Sequence, residues 1–389
     1  MTLSIRLPVE PNQTIDYQLS DALSVVVSPQ PFHSRIAFAA AHVVPVSGGA
    51  EMSDSVLQRQ QRVNLDWDRT LAYRHHLWSL GFAVAEAMDT SQRGMGLDWQ
   101  AAQELIHRSI REAAAVQGKI ACGAGTDHLP PSPQLTLQQV ITAYEEQVGF
   151  VEGCGGQVIM MASRALAACA RDAHDYAEVY GRILEQVQRP VIIHWLGEMF
   201  DPQLAGYWGS SDLPLAMESC LRILRAHASK IDGIKISLLD KQYEIELRRA
   251  LPHGMKMYTG DDFHYPELIL GDSHGFSHAL LGIFDAIAPI AAAALQALDR
   301  DDSQGFLKLI EPTVPLSRHI FETPTFHYKT GIVFLAWLNG HQPEFKMISN
   351  QETSRSIHHL ARLFLLADQA RLLRDPELAV ARMKQFLRG

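Results

Sequence analysis

A chain of 389 residues, 47% of them apolar and 20% charged, has the balance of a folded globular protein, which excludes a disulfide-stapled mini-protein, a disordered chain and a fibrous repeat. The formal net charge of −9, with no local basic patch to offset it, disfavours nucleic acid or anionic lipid as a partner. No apolar run is long enough to span a bilayer, and MTLSIRLPVEPNQTIDY lacks the basic-then-apolar layout of a leader, so the expectation is a cytoplasmic protein with no membrane partner.

Residues 1–35 hold two short β-like pieces, Leu3–Leu7 and Leu23–Val27, broken by Pro8, Pro11, Pro29 and Pro31. They predict an N-terminal arm packed on something larger. From Ile36 an apolar strand-like run and an amphipathic helix-like stretch alternate repeatedly. Strands are expected to begin near Ile36, Gly81, Lys119, Gly155, Arg189, Ile231, Gly254 and Gly275, with helices over 66–80, 98–117, 136–148, 173–188, 214–229 and 241–251. Asp98 and Thr136 are good helix caps. Near-continuous apolar strands alternating with helices read as a parallel sheet buried on both faces, and the repeat spans about 250 residues, the size of a (β/α)8 barrel. The expectation is an α/β chain with an arm over 1–35, a (β/α)8 TIM barrel over 36–300 and a helical extension over 301–389. An open doubly wound sheet is disfavoured because no strand is followed by G-x-G-x-x-G or G-x-x-x-x-G-K-[ST]. Cys122, Cys154, Cys169 and Cys220 lack metal-type spacing and read as reduced core residues.

In such a barrel the chemistry sits where the strands end, so polar residues closing an apolar run are the candidates. They are Glu86 and Asp89, Asp127 and His128, Ser163 and Arg164, His194, Lys235, Asp261 and Asp262, then Ser277 and His278. Only nine of the 34 basic residues are lysines, and eight of these lie in polar or helical contexts that predict solvated ammonium groups. Lys235, in DGIKISLLD, does not. Strand alternation turns Ile234 and Ile236 outward and Gly233, Lys235 and Ser237 toward the axis. Desolvation of an inward lysine lowers its pKa and makes a neutral, nucleophilic amine available for Schiff-base formation. The alternative for this lysine is neutralisation by a carboxylate such as Asp261. His194 in VIIHWLG has the same inward parity and suits proton transfer. Asp261 and Asp262 in YTGDDF could hold hydroxyls or cap the next helix. Asp127 and His128, with Thr90, Ser91, Ser277 and His278, complete the expected substrate contacts.

The inward lysine in D-G-I-K on the sixth strand, the G-D-D turn after the seventh and H-G-F-S on the eighth resemble the dihydrodipicolinate synthase and N-acetylneuraminate lyase family of class I aldolases, over about residues 36–300. The resemblance implies a Schiff base between Lys235 and a 2-oxo acid or related carbonyl compound, no cofactor, and a homo-dimer or tetramer. Two departures stand out. His194 occupies the position where that family usually has a tyrosine, and MDTSQRG replaces its G-T-T-G-E turn, leaving Thr90 and Ser91 in place of the residues that hold the carboxylate of pyruvate. An acidic pocket edge built from Glu86, Asp127, Asp261 and Asp262 points to a hydroxylated, weakly charged substrate such as a sugar-derived keto compound.

Two other readings stay open at this level. Glu86, Asp127, His128, His194, Asp261 and His278 could hold Zn²⁺ or Mn²⁺ in a metal-dependent sugar isomerase or hydrolase, with Glu86, His194, Asp261 and His278 as the core ligand set. A non-catalytic small-molecule-binding barrel is the third.

Overall fold

A computed structural model describes residues 3–21, 25, 27–46 and 63–388. Two antiparallel strands, β1 (Ser4–Glu10) and β2 (Gln13–Gln18), form a hairpin. The second β-like piece expected in the arm, Leu23–Val27, lies largely outside the described residues. Eight further strands close into a parallel barrel, with chain neighbours paired throughout and the last strand returning to the first. They are β3 (Ala37–Ala40), β4 (Ala83–Glu86), β5 (Ile120–Ala124), β6 (Gln157–Met160), β7 (Val191–Leu196), β8 (Ile231–Ser237), β9 (Lys256–Thr259) and β10 (His278–Leu281).

Alternation along each strand divides the barrel into two apolar layers. Phe38, Ala40, Ala83, Ala85, Ala121, Ile159, Ile192, Tyr258 and Leu280 fill the interior. Val158, Ile193, Ile234, Ile236 and Met257 pack outward against the helical ring. Asp98 accepts from the Ala101 amide at 2.8 Å, and Thr136 and Gln139 form a reciprocal capping box, so both expected caps start their helices.

After β10 the chain continues in helices. Helix Ile283–Leu298 is buried along nearly its whole length, between the barrel and the helices that follow. Every residue of helix Tyr328–Leu338 is buried, which makes it the centre of the C-terminal bundle and not an amphipathic surface helix. The N-terminal hairpin docks on that bundle: Ile5 and Leu7 join its core, and Asp368 accepts from Tyr17 Oη at 2.8 Å and the Ser20 amide at 3.0 Å. No helix among the described residues is long and apolar enough to cross a membrane.

Glu86 shows how the alternation overrides a strand-end reading. Ala85 faces the axis, so Glu86 faces the helices, where Arg74 grips it through Nε–Oε2 at 2.8 Å and Nη2–Oε1 at 2.9 Å. Ser109 Oγ donates a further bond at 2.6 Å, and both charged side chains are fully buried. Glu86 is therefore a structural anion and cannot reach the barrel mouth. Removing one partner from a buried ion pair leaves an uncompensated charge, so Arg74→Met should cost about 3–5 kcal/mol in urea unfolding, and Arg74→Met/Glu86→Leu should recover most of it. A single variant as stable as wild type would contradict this role.

Candidate active site

Parallel register brings His194 of β7, Lys235 of β8 and Tyr258 of β9 level on adjacent strands. His194 and Lys235 point to the axis, and are 2% and 5% exposed. Tyr258 forms a floor beneath them, its ring edge-on to Phe38 and its hydroxyl donating to Asp232 at the start of β8.

Among the described residues no carboxylate lies within ion-pairing distance of Lys235 Nζ. Burial lowers its pKa from 10.5, against the opposing pull of Asp89 and Asp262. Room for the lysine stem comes from Gly260: a Cβ there would stand 2.7 Å from Lys235 Cε and 2.6 Å from the Ile236 carbonyl oxygen. Burial also pushes His194 well below the ordinary imidazole value, with Lys235 adding to the effect. His194 is thus a neutral imidazole, its Nε2 3.3 Å from Ser237 Oγ.

Asp89 reaches the mouth because the alternation of β4 reverses. Ala87 adopts φ of 51°, packs outward, and sends Met88 into the barrel interior, so the turn Asp89–Ser91 follows on the mouth side. Burial alone would raise the Asp89 carboxyl, but Lys235, Lys329 and His194, with a 2.7 Å hydrogen bond from Tyr328 Oη, hold it below the ordinary value. Asp262, after β9, accepts from the Ile283 amide at 2.9 Å, and burial pushes its carboxyl up to about 8, so it carries a proton at neutral pH. Both carboxyls act on Lys235 without pairing with it.

A cavity of about 110 Å³ opens at the strand ends, lined by Asp89, Arg93, Gly94, Thr126, Asp127, Arg164, His194 and Asp201 among others. Lys235 is not among the lining residues; His194, level with it on the neighbouring strand, is. Most acidic groups here are already matched. Asp127 is forked onto Arg93, with Nε–Oδ2 at 2.9 Å and Nη2–Oδ1 at 2.6 Å, and is held down to about 2 by that guanidinium and Gln147 despite burial. Arg164 Nε donates to Asp201.

Several expected contacts point elsewhere. Thr90 bonds Tyr328 Oη at 2.6 Å and Ser91 donates to the Ala41 carbonyl at 2.7 Å, so both hydroxyls are engaged in holding the turn. His128 turns to the rim, between Gln147 and Glu146. Asp261 caps its own turn through the Phe263 and His264 amides and pairs with the His264 ring at 2.8 Å. Ser277 and His278 open β10 instead of closing it. They lie at the opposite end of the barrel, where Ser277 donates to Glu244 and His278 Nδ1 accepts from the Ile36 amide. With Glu86 on the outer face, the set Glu86, His194, Asp261 and His278 cannot converge on one ion. Among the described residues the His and carboxylate cluster with metal-like spacing is His319, Glu322 and His359, in the C-terminal bundle. Its two imidazoles stack at 4.0 Å and 19°, so their in-plane lone pairs do not meet.

Sequence reasoning left out four residues of this site: Arg93, Asp201, Tyr328 and Lys329. Lys329, expected on a solvated face, is 4% exposed. The signal was present, since the apolar run IVFLAWL after Lys329 has no polar face to float an ammonium on.

Residues 5–389 match the model of one family, described as "protein of unknown function (DUF993)". The chain belongs to the DUF993 family. No curated protein matches the sequence. Solved structures show the fold shared. A prophage protein of the dihydrodipicolinic acid synthase family from E. coli K12, in complex with pyruvate, is 12% identical at a TM-score of 0.65, covering 87% of this chain and 99% of that one. The chloride-inhibited dihydrodipicolinate synthase from Acinetobacter baumannii, complexed with pyruvate, is 17% identical at 0.63, covering 87% and 100%. Dihydrodipicolinate synthase from Aquifex aeolicus is 13% identical at 0.62, covering 87% and 99%. This DUF993 chain therefore has the dihydrodipicolinate synthase fold, a (β/α)8 barrel followed by C-terminal helices.

An amine reacts with carbonyls only when neutral. Reductive trapping at Lys235 should rise with pH and level off below pH 10.5, the ordinary lysine value. Asp89→Asn removes a carboxylate that holds the proton on Lys235, so the inflection should move to lower pH. An unchanged or higher inflection in that variant would show that the two groups are not coupled.

Proposed function

We propose that the protein is a class I, Schiff-base lyase, acting on a 2-oxo acid or sugar-derived keto compound through Lys235. One observation carries the reading: an axis-facing, buried amine with no ion-pair partner among the described residues, beside a neutral imidazole. Likeness of fold to dihydrodipicolinate synthases supports it at the level of architecture. His194 stands in for the tyrosine relay that the resemblance implies.

In this reading Lys235 Nζ adds to the substrate carbonyl to give a carbinolamine. Protonated Asp262 is the acid available as the hydroxyl leaves as water, and the product is an iminium. His194 then takes the proton from the hydroxyl on the β-carbon, the bond between the α- and β-carbons breaks, and its electron pair flows into the iminium to form an enamine. Protonation of that enamine and hydrolysis release the second product and regenerate the amine. Run backward, the same steps condense two carbonyl compounds. Loss of the β-hydroxyl as water is the dehydration variant. A dimeric or tetrameric assembly belongs to the same reading, and sedimentation as a monomer would remove it.

Incubation with a panel of 2-oxo acids and keto-sugars, followed by borohydride, should leave a mass adduct on the peptide containing Lys235. Lys235→Ala should lose both adduct and turnover. His194→Phe should retain trapping while slowing the later proton transfers by about 10²–10⁴-fold. A carbonyl compound that binds tightly and is turned over without any adduct would end the Schiff-base reading, and substitutions at Lys235 and His194 that change neither binding nor flux would leave a non-catalytic barrel.

A further inference from the structure

The acidic groups expected to form a polyol-binding edge are already committed. Asp127 is forked by Arg93, Asp201 is paired with Arg164, Asp261 is tied to its own turn, and Glu86 faces the helices. Arg93 is saturated as well: its Nη1 donates to the Ala87 and Gly123 carbonyls at 3.3 and 3.1 Å, and its Nη2 to Gln147 Oε1 at 2.7 Å. Thr126 shares its hydroxyl with Ser163 at 2.6 Å. Hydroxyls of a sugar chain would have to compete with these bonds. What the cavity presents beside them is an apolar arc from three consecutive strands: Leu129 and Pro131 after β5, Met161 and Ala162 after β6, Leu196 at the end of β7, and Leu204 beyond it. Leu196 lies two residues past His194 and shares its parity, and Met161 stands two past interior Ile159 and packs with the interior layer. Two glycines on the inward face of β5 and just past it make room for a soft floor. A Cβ at Gly123 would stand 2.9 Å from Met161 Sδ and 3.1 Å from Met88 Sδ, and one at Gly125 would stand 3.3 Å from Met161 Cε. Two thioethers fill the space that side chains there would take, and such groups adapt to an apolar neighbour.

His194 lines the same cavity and stands level with Lys235 on the neighbouring strand. In the proposed cleavage the imidazole takes the proton of the β-hydroxyl as the bond between the α- and β-carbons breaks and its electron pair enters the iminium. The fragment beyond the β-carbon, which leaves as an aldehyde, therefore extends from His194 along this arc. We infer that this departing fragment carries a short alkyl chain without hydroxyls, seated against Met161, Leu196 and Leu204. An apolar cavity of about 150 Å³ holds benzene, so one of about 110 Å³ has room for about four carbons. An alkyl chain there takes no partner from the paired charges, whereas hydroxyls would be desolvated against carbon. Arg164, its side chain 27% exposed, is open to hydration at the nitrogens that Asp201 leaves free. The inference rests on the Schiff-base reading for which end of the substrate lies in the arc. It narrows that reading to carbonyl compounds with an aliphatic tail and sets aside the sugar-derived ones.

Straight-chain primary alcohols probe the arc without reacting with an amine. Titrated from ethanol to 1-hexanol into the wild-type chain carrying labelled methionine methyl groups, they should shift the Met161 signal. Affinity should rise about fourfold per methylene and level off beyond about four carbons. 1,2,4-Butanetriol should bind at least about tenfold more weakly than 1-butanol, and Leu196→Asn should weaken 1-butanol by about tenfold. In turnover, 4-hydroxy-2-oxo acids with alkyl tails should exceed those with polyhydroxylated tails by at least about tenfold in kcat/KM. Affinity indifferent to chain length, triol binding equal to butanol, or shifts confined to other methionines would overturn the inference in the wild-type chain alone. So would undiminished 1-butanol binding in folded Leu196→Asn, or a preference for polyhydroxylated tails. If the alcohol series keeps its increments while borohydride leaves no adduct with any carbonyl compound that is turned over, the Schiff-base reading falls and the apolar subsite stands.

Discussion

An ammonium withdrawn from water into a closed ring of strands loses solvation that a few distant charges cannot replace, and the cheapest relief is to give up the proton. Lys235 is in that position. Gly260 makes room for its stem, β7 sets a neutral imidazole level with it, and Asp89 and Asp262 bear on it without closing into a salt bridge. A direct ion pair would have held the amine charged and ended its nucleophilicity. The distance kept between carboxylates and amine is therefore the feature on which the proposed chemistry stands.

Elsewhere the barrel treats charge in the opposite way. Arg74 with Glu86, Arg93 with Asp127 and Arg164 with Asp201 are direct pairs that neutralise acidic groups at or near the strand ends. Each spares a low-dielectric region an isolated anion. Among the described residues Lys329 has no such partner, and Asp89 is in electrostatic contact with both Lys329 and Lys235. One carboxylate thus links the two amines electrostatically.

The C-terminal helices belong to the site and do not merely cover the barrel. Because helix Tyr328–Leu338 is buried on all sides, its start can be driven against the mouth, where Tyr328 ties Asp89 and Thr90 together. The bundle is itself clasped by the N-terminal hairpin through Asp368. The N-terminal hairpin therefore docks on the same bundle whose central helix carries Tyr328 to the barrel mouth.

What the sequence determined by itself was periodic: eight apolar runs with helices between them, the caps Asp98 and Thr136, and the inward parity of His194 and Lys235, all set by local alternation that a strand cannot escape. Parity also decided against Glu86, one residue beyond inward Ala85, although its place at a strand end hid the fact. The rest needed coordinates, because it depends on groups distant in the chain. Whether a carboxylate pairs with Lys235, or an arginine claims Asp127, is settled by approach angles between different βα units. The left-handed turn at Ala87 that redirects Asp89 leaves no mark in composition, and Ser277 and His278 could be assigned to the wrong end of the barrel because an apolar run alone does not show where its hydrogen-bonded ladder begins. Lys329, more than 90 residues from Lys235 in the chain, enters the site only because tertiary packing buries its helix from every side.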